Sequence, residues 1–193
     1  MEYALDIAGA PKTIPGGTGL LLLHPSTGET DRIDTEFFSV DTDAFLVIST
    51  RTTAREVKQK LEYYEVDESK AVILDTLSVE RGYSRRRENN VHYVSAPDDL
   101  DGIIEQTRQF LKDYEGKRRI SVDSVTEIAY YAEDEEAVFA AMEELRQLLV
   151  EHDAVGLFHV SPEVHDDAIV ERYRSMFDGT IVLYESGEVN TDI

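Results

Sequence analysis

The chain is 193 residues long, a length that suits a single domain with a full hydrophobic core. Its 40 acidic residues outnumber its 19 basic residues, and the formal net charge of −21 argues against general affinity for DNA or anionic membranes. The absence of cysteine excludes disulfide bonds and thiolate metal sites.

The composition also predicts the environment of the protein. Carboxylates in such excess repel one another, and salt screens this repulsion because the Debye length falls to about 3 Å at 1 M. Together with 13 arginines against only 6 lysines, the acidity predicts a halophile. The first residues do not follow the basic, apolar and small-residue order of a signal peptide, and no apolar run approaches the ~18 residues of a membrane helix. We therefore expect a soluble, cytoplasmic protein with no membrane partner.

Apolar runs alternate with helical patterns along the chain. Strands are predicted at residues 19–23, 44–49, 70–75, 91–95, 119–123, 154–160 and 179–184. Helices are predicted at residues 54–64, 97–111, 134–151 and 162–177. This alternation is typical of a three-layer αβα domain with a mainly parallel sheet. We place a single domain at residues 1–185 and expect the acidic C-terminal tail, residues 186–193, to fray.

The first long apolar run, residues 20–23, leads into a Gly-x-Thr turn at Gly28 and Thr30. In a P-loop of the form GxxxxGK[ST], backbone N–H groups surround the phosphates, the Lys contacts the β/γ oxygens and the hydroxyl binds Mg²⁺. Here Leu23 stands at the first Gly and Glu29 at the Lys. A carboxylate repels a polyphosphate, so Gly28 and Thr30 indicate a remnant nucleotide site, and an unrelated strand and turn is the alternative.

Four later segments occur in the order found in the RecA-superfamily, KaiC-like ATPases. Residues 45–50 resemble the second strand of that family, and residues 70–76 resemble the third. Residues 118–124 resemble a Walker B strand ending in Asp-Ser, and residues 154–166 resemble the next strand and its loop. The chain is most similar to short haloarchaeal members of the group. The resemblance implies a RecA/KaiC-like fold, a nucleotide site that includes Asp123, and a subunit interface near residues 125–132.

The chain departs from this family at the residues that act in hydrolysis. In the family a pair of glutamates after the second strand activates the attacking water, but Thr50-Arg51-Thr52 stands there in this chain. A permanently charged Arg cannot accept a proton. The P-loop helix is also reduced, to at most about two turns over residues 31–39. We therefore expect no catalytic residues and no cofactor, with ATP and Mg²⁺ as the alternative.

Arg81, Arg85, Arg86 and Arg87 form the basic cluster of this acidic chain, together with Tyr83, in a polar and aperiodic loop. Such groups bind a phosphate backbone, stack on bases or pair with an acidic partner. A solvated loop is the alternative, because isolated surface ion pairs contribute only ~0–1 kcal/mol. We predict a partner-binding surface, and we favour an acidic protein or a second copy over nucleic acid, whose binding weakens steeply with salt.

Histidines near the end of one predicted strand offer metal-ligand chemistry. His159, His165 and the acidic pair at residues 166–167 lie where doubly wound sheets place their sites. Their spacing matches no standard zinc pattern, so we expect ordinary loop residues and no metal site. His24 and His152 are likewise expected to be ordinary polar residues.

The sequence favours a non-catalytic, KaiC-like regulatory or scaffolding protein that acts through protein contacts and self-association. Two alternatives stay open. One is a divergent ATP-binding protein or ATPase that completes its site with residues of a neighbouring subunit. The other is a recombinase-paralogue accessory factor that contacts single-stranded DNA through residues 81–87. Binding of ATP distinguishes the first alternative from the scaffold, and retention of single-stranded DNA distinguishes the second.

Overall fold

The computed structural model describes residues 1–26 and 30–193. The strands in this part of the chain are β1 (Glu2–Ala4), β2 (Thr13–Pro15), β3 (Gly19–Leu23), β4 (Ala44–Ser49), β5 (Ala71–Asp75), β6 (Val91–Tyr93), β7 (Arg118–Asp123), β8 (Val155–Val160), β9 (Gly179–Leu183) and β10 (Val189–Asp192). Strands β3 to β10 form one sheet in the order β10–β9–β3–β8–β7–β4–β5–β6. Strand β10 runs antiparallel to β9, and the other neighbouring pairs are parallel.

Each of the six helices in the described residues follows a polar residue, and in four of them the side chain of that residue caps the first turn. They are α1 (Asp31–Ser39), α2 (Ala54–Tyr63), α3 (Leu100–Asp113), α4 (Val125–Ala132), α5 (Glu135–Glu151) and α6 (Asp167–Met176). Thr53 and Glu56 form a capping box at the start of α2, and the Asp134 carboxylate accepts hydrogen bonds from two amides at the start of α5. No helix in residues 1–26 and 30–193 has the length and apolarity needed to cross a membrane.

The sheet is covered on both faces. One apolar cluster joins alternate residues of β3, among them Leu21 and Leu23, to helices α3, α4, α5 and α6. The other joins Leu20 and Leu22 to α1, α2 and the β1–β2 hairpin. Because both faces are buried, the strands are continuous apolar runs. This arrangement confirms the three-layer αβα fold with a mainly parallel sheet.

The short outer strands differ from the sequence prediction. Neither β1 nor β2 was predicted, because each is only three residues long and has little apolar pattern of its own. The C-terminal residues, expected to fray, instead include β10, whose four residues pair with β9. The alternating exposure of β10 is that of an edge strand held by its neighbour.

A buried arginine attaches the hairpin to the sheet. Arg119, on β7, is completely buried, and its Nη2 donates to the carbonyl oxygens of Ala4 (2.7 Å) and Val40 (2.8 Å). Its guanidinium lies 5.3 Å from the ring centre of Tyr3 and 5.1 Å from that of Phe37. Burial lowers the pKa of Arg119 to about 10, so the group is charged at neutral pH.

Candidate functional site

A buried polar cluster occupies the carboxyl edge of the sheet, where β3, β8, β7 and β4 lie side by side. His24 directly follows β3, His159 lies in β8, Asp123 ends β7, and Arg51 follows β4. Helix α1 places Asp34 beneath them. In open α/β sheets this edge is where ligands bind. The fold therefore brings together chemistry-bearing residues that are far apart in sequence.

Hydrogen bonds connect the two histidines of the cluster to each other and to α1. His159 Nε2 lies 2.9 Å from Asp34 Oδ1, and His159 Nδ1 lies 3.1 Å from His24 Nε2. His24 Nδ1 lies 2.7 Å from the carbonyl oxygen of Pro25, which can only accept, so this nitrogen carries a proton. The Ser121 hydroxyl also donates to Asp34 Oδ1, at 2.9 Å. Both imidazole rings are held in fixed orientations.

The pKa values of the two histidines are shifted in opposite directions. Burial, followed by the nearby His159, lowers the pKa of His24 to about 4, so His24 is neutral. Burial also acts to lower the pKa of His159, but the carboxylates of Asp34 and Asp123 outweigh burial, and the net pKa is raised. A protonated His159 donates from Nε2 to Asp34 and from Nδ1 to His24, which matches both short distances.

Asp123 is paired with cations in the cluster. Arg51 Nη2 lies 2.7 Å from Asp123 Oδ1, and His159 Nδ1 lies 3.7 Å from the same oxygen. Burial alone acts to raise the pKa of Asp123, but His159 and then Arg51 outweigh it, and the net pKa is lowered. The contact with Arg51 is an ion pair whose N–H groups are not directed at Oδ1 as in a hydrogen bond. Among the described residues, Oδ1 therefore has no hydrogen-bond donor.

The predicted remnant nucleotide site is described only in part. Gly28 and Glu29 lie outside the described residues. Thr30 is buried and precedes α1 without a side-chain capping bond. Asp123 lies in the buried cluster described above. The membership of Gly28, Thr30 and Asp123 in a single site remains a prediction.

The arginine loop, defined as residues 81–87, is exposed along its whole length. Arg81 Nη2 donates to the Tyr131 hydroxyl at 3.2 Å, and the backbone of Arg86 exchanges hydrogen bonds with the Tyr93 hydroxyl. A cleft of about 560 Å³ lies between this loop, helix α2 and strand β6. The loop is thus anchored at two points while the side chains of Arg85 and Arg87 face solvent.

A second cleft, of about 410 Å³, opens beside the buried cluster. Arg51, Ser124, Thr126 and His165 line it. His165 Nε2 lies 2.9 Å from Thr126 Oγ1, and Asp166 lies at the start of α6. His159 belongs to the buried cluster instead, so the four candidate ligands considered near residue 159 do not come together as one group.

Sequence reasoning missed the contact between His24 and His159, which lie 135 residues apart. The contact depends on β3 and β8 being neighbours, and sequence separation does not reveal strand order. One signal was available, since His159 interrupts an otherwise apolar, buried strand. A polar residue at such a position needs a buried partner.

Comparison with known proteins gives a family and a fold. The sequence model of a family described as "Family of unknown function (DUF7090)" matches residues 1–193. The chain belongs to this family. No curated protein matches it in sequence.

Solved structures resemble the chain over nearly its whole length. A KaiC-like protein from the hyperthermophilic archaeon Pyrococcus horikoshii OT3 superposes with a TM-score of 0.64 at 18% identity, covering 98% of this chain and 86% of the other. An ATPase from the type III secretion system of pathogenic bacteria superposes with a TM-score of 0.61 at 17% identity, covering 95% of this chain and 57% of the other. These likenesses confirm the predicted RecA/KaiC-like fold.

Proposed function

We propose that this chain is a non-catalytic, KaiC-like protein that acts as a regulator or scaffold through protein contacts. The observation that carries the proposal is the pairing of Asp123 with Arg51 at 2.7 Å. A carboxylate at the end of this strand serves hydrolysis when it can organise Mg²⁺ and water. Here a cation of the protein itself already neutralises it.

The residues after β4 support the same proposal. Hydrolysis of a phosphoanhydride needs a group that orients or deprotonates the attacking water. The Thr50 hydroxyl donates to the backbone oxygen of Asp123 at 3.0 Å, and Arg51 is occupied with the Asp123 carboxylate. A guanidinium remains protonated at any physiological pH, so it cannot act as a general base. Glu29, which stands in place of the P-loop Lys, also disfavours the binding of a polyphosphate.

Enzymology and calorimetry in molar KCl test this part of the proposal. We expect no Mg²⁺-dependent ATP hydrolysis and no heat of ATP binding. The variant Asp123→Asn should behave like wild type in both assays, as should the matched surface variant Asp98→Asn. Turnover that Asp123→Asn abolishes and Asp98→Asn preserves would contradict the proposal and favour the ATPase alternative. Binding without turnover would favour a divergent ATP-binding protein.

We further propose that the arginine loop is the contact surface. Its guanidinium groups are exposed in a protein with a net charge of −21, so a second copy of the chain offers abundant carboxylates. Bidentate Arg–carboxylate pairs keep their geometric specificity when salt screens long-range attraction. Tyr130, which is 80% exposed on α4, adds aromatic area on the same carboxyl side of the sheet.

A triple variant, Arg85→Ser with Arg86→Ser and Arg87→Ser, tests the contact surface. The matched control replaces Lys12, Arg32 and Lys112 by Ser, since these exposed residues carry the same total charge. We expect the loop variant, but not the control, to lower the oligomeric mass in molar KCl or to lose co-purifying protein partners. Loss of single-stranded DNA retention alone would favour the DNA-contacting alternative. Identical behaviour of both variants and wild type would show a merely solvated loop.

A further inference from the structure

Three potential metal ligands converge inside the buried cluster. His24, His159 and Asp123 each offer one ligand atom, and these three atoms all lie within 4.8 Å of one another. The nitrogen atoms are 3.1 Å apart, and His159 Nδ1 is 3.7 Å from Asp123 Oδ1. Ligands at about 2.0–2.1 Å from a tetrahedral Zn²⁺ are separated by roughly 3.3 Å. The observed spacing therefore approaches that of three ligands around one ion.

The hydrogen bonds behind the histidines orient the correct nitrogen atoms. His24 donates from Nδ1 to the carbonyl oxygen of Pro25, and His159 Nε2 faces Asp34 Oδ1 at 2.9 Å. Metal-binding histidines almost always donate their second ring N–H to a carbonyl or carboxylate in this way. Asp34 is itself fixed by the Ser121 hydroxyl. The other nitrogen of each ring, His24 Nε2 and His159 Nδ1, faces the neighbouring ring and Asp123, and a bound metal ion would take the place of the proton on His159 Nδ1.

An unsatisfied oxygen points to the same place. Asp123 Oδ1 is buried and accepts no hydrogen bond within the described part of the chain. A buried carboxylate oxygen without a donor is costly, and a bound cation would satisfy it. Arg51 lies close to this oxygen, but its side chain is 28% exposed and lines the open cleft of about 410 Å³. The guanidinium therefore has room to turn away for an ion that two imidazoles also hold, which is not the case for Mg²⁺.

We propose that His24, His159 and Asp123 bind one divalent transition-metal ion of the Zn²⁺ class, with a fourth position open to water. Two imidazole nitrogens favour Zn²⁺, Co²⁺ or Fe²⁺ over Mg²⁺, which prefers oxygen ligands. The carboxylates of Asp34 and Asp123 offset the charge of the ion. This proposal departs from the expectation that these histidines are ordinary polar residues, and it does not depend on whether the protein hydrolyses ATP.

Metal titration of the intact protein tests the site. After dialysis against a chelator, the wild-type chain should bind one equivalent of Co²⁺ with the intense visible absorption of a four-coordinate ion, and Zn²⁺ should displace it. An equal concentration of Mg²⁺ should not compete. His24→Asn and Asp123→Asn should each weaken Co²⁺ binding about 100-fold or more. Removing a residue that only hydrogen-bonds a metal ligand lowers metal affinity by about 10- to 100-fold, and removing a ligand itself should cost at least as much. The control His92→Asn, which replaces an exposed histidine of β6, should bind like wild type.

Several results would overturn the proposal. Absence of the Co²⁺ absorption in wild type would do so, and so would equal affinity in His24→Asn and His92→Asn, which would place the ion on the acidic surface. If the buried variants do not fold, nitrogen NMR of the wild-type histidine rings decides. Zn²⁺ should then shift Nε2 of His24 and Nδ1 of His159, and unchanged shifts would refute the site.

Discussion

Removal of the Asp75 carboxylate should destabilise the protein strongly. Asp75, at the end of β5, is 1% exposed and accepts four hydrogen bonds. Oδ1 accepts from the amides of Leu77 (3.0 Å) and Ser78 (2.8 Å). Oδ2 accepts from the amide of Ala54 (2.8 Å) and the hydroxyl of Ser78 (2.6 Å). One side chain thus fixes both the start of α2 and the turn that leads toward the arginine loop.

The expected loss follows from the groups left without partners. Asp75→Ala leaves three buried amides unsatisfied, and at ~1–1.5 kcal/mol each the free energy of unfolding should fall by about 3–5 kcal/mol. Asp75→Asn keeps one acceptor oxygen for Leu77 and Ser78 but directs an NH₂ group at the Ala54 amide. Its stability should lie between those of wild type and Asp75→Ala.

Urea unfolding monitored by circular dichroism measures these differences. The control is Asp67→Ala, which removes another capping carboxylate, one that accepts from Ser69 but is exposed. Its effect should be clearly smaller. Trypsin should also cleave the arginine loop faster in Asp75→Asn than in wild type. If Asp75→Ala lies within about 1 kcal/mol of wild type, buried hydrogen bonds do not hold these segments in place and the reasoning is refuted.

Three further predictions concern charge, protonation and backbone conformation. Molar KCl should raise the melting temperature by screening the net charge of −21, and an unchanged melting curve would contradict a halophilic protein. Burial lowers the pKa of His165, although the carboxylates of Glu135, Asp166 and Glu163 act in the opposite direction. As the pH falls, His165 is therefore protonated in the unfolded chain before it is protonated in the folded protein. The free energy of unfolding should then decrease as the pH drops below about 6.5. His165→Asn should flatten the dependence of the urea midpoint between pH 7.5 and 5.5, and parallel curves would contradict this assignment. Gly116→Ala should destabilise the protein by at least about 1 kcal/mol more than Gly82→Ala. Both positions have positive φ, but only at Gly116 would an added Cβ clash with the Asp43 carboxylate. Equal losses of unfolding free energy in the two variants would show that the clash is relieved.

The long strands of the sheet were predictable because they are buried on both faces. Strands β3 and β4 begin and end where the apolar runs do, and β8 differs from its prediction by one residue. Such runs arise when helices cover both sides of a sheet. The hairpin and β10 follow a different rule. Their conformation depends on partners supplied by the rest of the fold, and three or four half-exposed residues carry too little pattern to show it.

The site was predictable only one strand at a time. Asp123 could be placed at the edge of the sheet from the pattern of its own strand. The meeting of His24, His159 and Asp34 required the strand order and the position of α1, which depend on contacts across more than 100 residues. The pairing of Arg51 with Asp123 likewise depends on the three-dimensional fold. The sequence showed that Arg51 stands in place of an acid, but not that it turns back toward Asp123.

The buried guanidinium of Arg119 has a consequence for the order of folding. Its two carbonyl partners come from Ala4 and Val40, segments 115 and 79 residues away along the chain. A partly folded chain with the sheet formed and the hairpin undocked would lose the Ala4 carbonyl and the Tyr3 ring, and would leave the cation beside Phe37 with only the Val40 carbonyl as its acceptor, a costly state. The N-terminal hairpin should therefore dock and detach together with the whole domain, so its amides should exchange with deuterium as slowly as those of the central strands.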